Sequence, residues 1–98
     1  MILNFEEKEG KLYCVFSGRL DTEACIEYQD QIDEKIKEAS VKVLFNFKEV
    51  DYISSSFLRI CLKSSKELGQ DRFAIINVSP NIKKVFKIAG FDRIINIK

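Results

Sequence analysis

The apolar residues change their spacing several times along the chain, and each change marks an element. Ile2 to Phe5 and Lys11 to Phe16 read as two short strands. Glu9-Gly10 between them is a turn signal, so an antiparallel hairpin is the simplest connection. Tyr13 and Val15 interleave with Leu12, Cys14 and Phe16, which suits a strand covered on both sides. Ser17 to Thr22 breaks the strand. Asp21 or Thr22 can cap the following helix by accepting a bond from a free backbone N–H, and Glu23 places negative charge near the positive end of its dipole. Cys25, Tyr28, Ile32, Ile36 and Ala39 then recur three or four residues apart, one apolar stripe of a helix. Glu27, Asp30, Glu34 and Lys37 fall largely on the other side.

Val41 to Phe47 is almost continuously apolar, the pattern of a central strand buried on both faces. Lys48 to Ile53 reads as a connection towards the serines Ser54-Ser55-Ser56. From about Ser55 to Leu68 the spacing is helical again. Leu58, Cys61, Leu62, Ser65 and Leu68 form one face, widened by Phe57 and Ile60, and Gly69 is placed to end the helix. Phe73 to Val78 predicts another strand. Ser79-Pro80 predicts an N-cap followed by proline at the first helical position. Ile82, Val85, Phe86 and Ala89 make that helix's buried stripe, Gly90 ends it, and Arg93 to Ile97 reads as a short terminal strand. The order β-β-α-β-α-β-α-β predicts a single α/β domain over residues 1–98. Its sheet is mixed and mostly parallel, with an N-terminal antiparallel hairpin and helices packed on it.

Composition narrows the function. The chain has 98 residues, 46% hydrophobic and 32% charged, which suits one packed core and argues against disorder. Sixteen basic and fifteen acidic residues give a net charge of +1, so no direct nucleic-acid binding is expected. Lys83, Lys84 and Lys87 read as a solvated helix face. No apolar run approaches bilayer length, and the N-terminus lacks the pattern of a signal peptide. Cys14, Cys25 and Cys61 are odd in number and without CxxC spacing, which fits thiols in a reducing cytoplasm. Histidine is absent, which removes Ser-His-Asp, Cys-His and most zinc chemistry. The Gly-x-Ser-x-Gly, P-loop and dinucleotide glycine patterns are also missing, so neither catalysis, metal nor cofactor is expected.

The serine run remains. It lies between a buried strand and a helix N-terminus, where free N–H groups and the helix dipole favour anions. Simple capping is one reading. A phosphorylation switch is another, because a phosphoserine carries roughly −1.5 to −2 charges that a helix start tolerates and a docked partner does not. A serine nucleophile is a third, with Lys63 as the conceivable base and no local motif behind it.

Four segments, in order, carry a resemblance to a family. They are Phe16-Ser17-Gly18-Arg19-Leu20-Asp21-Thr22, Leu44 to Ile53, Asn77 to Phe86, and Ile88-Ala89-Gly90-Phe91-Asp92-Arg93-Ile94-Ile95. Together they resemble the STAS domain of bacterial anti-sigma factor antagonists over nearly the whole chain. The resemblance implies a protein that sequesters an anti-sigma factor. That factor is a serine kinase of the ATP-binding, histidine-kinase-like fold, and a serine phosphatase resets the switch. It implies Ser55 as the phospho-acceptor, with Arg19, Asp21, Thr22, Ser54, Ser56 and Phe57 at the partner surface. The family's switch reads Asp-Ser-Ser-Gly, whereas this chain has Ser54-Ser55-Ser56-Phe57. Phe57 is then either an exposed anchor or a ring buried against the sheet. A domain of this fold without the switch, acting as a constitutive scaffold or complex subunit, is the alternative.

Overall fold

A computed structural model of the chain describes residues 2–98. Five strands and three helices follow the predicted order. They are β1 (Ile2–Lys8), β2 (Lys11–Leu20), α1 (Thr22–Glu38), β3 (Lys42–Ile53), α2 (Ser55–Leu68), β4 (Phe73–Ile76), α3 (Pro80–Ile88) and β5 (Asn96–Ile97), with a single 3₁₀ turn at Phe91–Arg93 before β5. The sheet order is β1-β2-β3-β4-β5, the order of the chain itself. The hairpin pair β1–β2 is antiparallel, with Lys8 opposite Lys11, and the other pairs are parallel. Glu9 and Gly10 both have positive φ (55° and 72°), the backbone that lets a two-residue turn follow the natural strand twist.

The core lies on one side of the sheet. Phe16 of β2 meets Tyr28 of α1 and Phe57 of α2, and Phe47 of β3 meets Phe57 and Phe86 of α3. All three helices therefore share one face, and α2 sits between α1 and α3. Phe16, Phe45, Phe47, Phe57, Phe73 and Phe86 are fully buried. Their rings mostly meet edge to face, as in the Phe16–Phe45 and Phe45–Phe73 pairs at 5.1 and 4.8 Å between centres. That geometry sets the positive edge of one ring against the negative face of the next, about 0.5–1.5 kcal/mol per pair beyond area burial.

The expectation that β2 and β3 are covered on both sides is corrected. Tyr13, Val15, Asn46 and Ile76 point to the other face and stay partly exposed, with no helix over them among the described residues. Leu44 is buried there by its sheet neighbours alone, outside the main apolar cluster.

Three strands run further than their sequence suggested: β1 to Lys8, β2 to Leu20 and β3 to Ile53. Pairing between β2 and β3 slips twice: Val15 faces Asn46 but Ser17 faces Glu49, and Gly18 faces Val50 but Arg19 faces Tyr52. Each slip inserts one extra residue into β3, the mark of a β-bulge. Buried positions of β3 therefore change spacing from Val43, Phe45 and Phe47 to Val50 and Ile53. The Asn46 side chain holds the first slip by accepting from the Lys48 N–H at 3.0 Å, and it also accepts from Asn77 Nδ2 at 3.1 Å. Gly18, at φ 83°, sits at the second slip, where a side chain would be strained. Near the C-terminus β4 stops at Ile76, β5 has only two residues, and Ala89, expected in the buried stripe of α3, is an exposed cap.

One buried polar atom is unpaired among the described residues, the hydroxyl of Tyr28. Burial raises the pKa of this phenol above its usual value. Tyr28→Phe removes an unsatisfied group and keeps the ring, so stability is expected to stay level or rise by up to about 1 kcal/mol. Urea unfolding followed by circular dichroism measures it, and a clear loss would reveal a hydrogen bond to that hydroxyl.

Candidate functional site

Leu20 and Ile53 end β2 and β3 side by side. The Ser54 N–H donates to the Leu20 carbonyl at 2.9 Å, which ties the two strand ends together. Helices α1 and α2 begin immediately beyond, so their N-termini lie side by side at the carboxyl ends of adjacent parallel strands. In open α/β sheets such a position gathers functional groups. Asp21, rather than Thr22, caps α1, and its carboxylate accepts from the Ala24 N–H at 3.0 Å. Ser54 caps α2, its hydroxyl accepting from the Phe57 N–H at 3.2 Å.

Capping therefore occupies Ser54 and leaves the next serine for other work. Ser55 is the first residue of α2 and is exposed. No acidic residue stands in the first turn of α2, so the positive end of its dipole has no carboxylate of its own helix against it. Arg59 follows one turn after Ser55, also exposed. Ser56 is half-buried and turns into a shallow groove between α1 and α2, which Cys25, Gln29, Arg59, Ile60 and Lys63 complete.

The remaining predicted residues divide. Arg19 lies exposed at the end of β2, its guanidinium carbon 4.2 Å from the centre of the Tyr52 ring, a cation–π contact. Thr22 is exposed at the start of α1. Asp21 stands beside them, half-buried in its capping role. Phe57 departs from the expected surface: its ring is fully buried, 5.3 Å from Phe16 and 6.3 Å from Phe47 between centres. It points from the first turn of α2 down onto the sheet, so its side chain cannot serve as an exposed anchor.

Lys63, considered as a base for a nucleophilic serine, instead donates to Asp33 Oδ2 at 3.1 Å. All three cysteines are free and buried. Desolvation raises their pKa values, that of Cys14 to about 12, so the thiols stay protonated near neutral pH. Cys25 lies 4.0 Å from the Ser54 hydroxyl, a neighbour that sequence separation conceals. Tyr52 was also missed, because the segment before the serines read as a connection. Arg59 was legible in principle, four residues from Ser55 on a helix. No cluster of three or more His, Cys, Asp or Glu side chains suited to a metal occurs among the described residues, and no helix there is long and apolar enough to cross a membrane.

Known proteins share this fold. The protein BtrV of Bordetella bronchiseptica, assigned as an anti-sigma factor antagonist, is 25% identical over 93 residues, covering 93% of this chain and 80% of its own length. The unphosphorylated anti-sigma factor antagonist SpoIIAA superposes with a TM-score of 0.80 at 23% identity, over 99% of this chain and 88% of its own. The phosphorylated form of SpoIIAA from Bacillus gives 0.74 at 23% identity, over 99% and 91%. An anti-sigma factor antagonist from Mycobacterium paratuberculosis gives 0.89 at 16% identity, over 98% and 83%, a likeness of fold alone. The STAS domain family itself matches residues 3–98, from the hairpin through the serine run to the last strand, and the chain belongs to that family.

Proposed function

We propose that the chain is an anti-sigma factor antagonist: it sequesters an anti-sigma factor and lets it go when Ser55 is phosphorylated. One observation carries this reading. Ser54 does the capping of α2, while Ser55 stands exposed beside it at a helix start without an acid of its own. A phosphate on Ser55 meets the N–H end of α2 and has Arg59 within one turn, both of which favour negative charge. The domain thus keeps its fold when modified. A partner seated over the same spot has to bury close to two negative charges, and separates. Ser54, Ser56, Arg19, Asp21 and Thr22 form the rim of the contact, and Phe57 supports it from below. The partner on this reading is a cytoplasmic serine kinase of the ATP-binding, histidine-kinase-like fold, and a serine phosphatase reverses the mark.

The test is phosphate mapping by mass spectrometry after incubation with the cognate anti-sigma factor and ATP. Modification is expected on Ser55, unchanged in Ser56→Ala and abolished in Ser55→Ala. Phosphate elsewhere, or none, counts against the switch. The departure from Asp-Ser-Ser-Gly at Ser54 and Phe57 supports a second reading, a scaffold that binds its partner constitutively. Pull-down with and without ATP separates the two, because constitutive binding ignores the nucleotide.

A further inference from the structure

The two most exposed large apolar side chains among the described residues are Ile88 on α3, at 78%, and Ile26 on α1, at 77%. Their surroundings have opposite charge. Ile26 shares the outer face of α1 with Glu23, Glu27, Asp30 and Glu34, all exposed, and Lys37 enters that face only towards its far end. Ile88 shares the outer face of α3 with Lys83, Lys84 and Lys87, all exposed, and α3 has no acidic residue. Asp92, just beyond, borders the hollow beside Lys83 and Lys87.

The two patches occupy opposite flanks of the molecule. Helix α1 lies over β1 and β2, through Tyr28 on Phe16 and the Lys35 ammonium above the Phe5 ring. Helix α3 lies against β3 through Phe86 on Phe47, and α2 separates them. One chain cannot close the two patches on each other.

We infer that two copies of this chain associate head to tail, the lysine-rimmed Ile88 patch of α3 in one copy seating on the acid-rimmed Ile26 patch of α1 in the next. The charge rims select this pairing, because α1 against α1 or α3 against α3 sets like charges face to face. One copy of the pair keeps an unused acidic patch and the other an unused basic one, so the contact is heterologous and extends into short chains. Ser55 lies on α2, between the two helices that carry the patches, and the test below uses neither phosphate nor an anti-sigma factor, so its outcome does not depend on the reading of Ser55.

Sedimentation velocity on the full chain tests the inference, at about 50 mM and about 0.5 M salt and at protein concentrations up to about 1 mM, where a small contact becomes visible. The average mass is expected to climb above the 11.4 kDa monomer with concentration at low salt, and less so at high salt. The double variant Lys84→Glu/Lys87→Glu and the double variant Glu27→Lys/Asp30→Lys are each expected to weaken association at least about tenfold alone. Mixed in equal amounts they are expected to recover it, because each then offers the other opposite charges. Circular dichroism confirms that both stay folded. A wild-type chain that remains monomeric throughout overturns the inference. So does association that both variants leave unchanged, or a mixture that fails to recover it.

Discussion

Replacing Phe57 with glycine, which restores the last residue of the Asp-Ser-Ser-Gly pattern, is expected to cost the fold about 4–5 kcal/mol. The ring is fully buried and meets Phe16 of β2 and Phe47 of β3, so its removal opens a void where α2 rests on the sheet. Emptying a buried phenylalanine site costs about 3–5 kcal/mol, and glycine within a helical turn adds up to about 1 more. A domain of this size holds about 5–15 kcal/mol in all, so the variant loses from about a third to nearly all of it. Phe57→Leu fills much of the same space and is expected to lose about 1–2 kcal/mol. Urea unfolding of both variants provides the comparison. A loss under about 1 kcal/mol for the glycine variant would contradict the packing described. The phenylalanine adds an aromatic prop beneath the serines.

The second large effect concerns affinity and leaves the fold alone. Ser55→Asp is expected to weaken anti-sigma factor binding at least about 100-fold while moving the unfolding free energy by no more than about 0.5 kcal/mol. The asymmetry follows from position. In the free chain a carboxylate at the first residue of α2 faces solvent and the positive helix end, an acceptable place for it. Under a docked partner the same carboxylate must lose its water, which costs several kcal/mol unless the partner supplies a cation. Ser55→Ala, which adds no charge, is expected to keep binding within about threefold. Calorimetric titration with the partner measures both variants, and equal affinity for Ser55→Asp and the wild type would refute release by charge.

The elements of this fold could be read from spacing wherever spacing was regular. Cys25 to Ala39 kept the helical interval, and Ser79-Pro80 announced α3. The second half of β3 was hidden because its two bulges set Phe47, Val50 and Ile53 three apart, where a regular strand alternates every two residues. Ser17-Gly18 looked like a break, yet pairing with Glu49 and Val50 carries β2 through it. At the site, the serine run at a helix start was legible, because local capping chemistry writes itself into sequence. The division of labour between Ser54 and Ser55 was less so, since it depends on which residue turns helical first. The neighbours Cys25 and Tyr52 come from other elements and depend on tertiary packing. Phe57 had two open placements, and only the direction of α2 over Phe16 and Phe47 decides between them.

The sheet's order, the same as the order of the chain, bears on how the protein is made. Doubly wound sheets must bring a later strand back beside an early one. Here each new strand joins the outermost one already in place. Synthesis delivers the hairpin first, then β3, β4 and β5, so each β-α unit can dock on the growing edge as it leaves the ribosome. Each parallel pairing is closed by a single helical crossover to the adjacent strand, a shorter closure than a strand order that skips neighbours requires. The growing edge is open until the next strand arrives, and the final cover over β4 is only the two residues of β5.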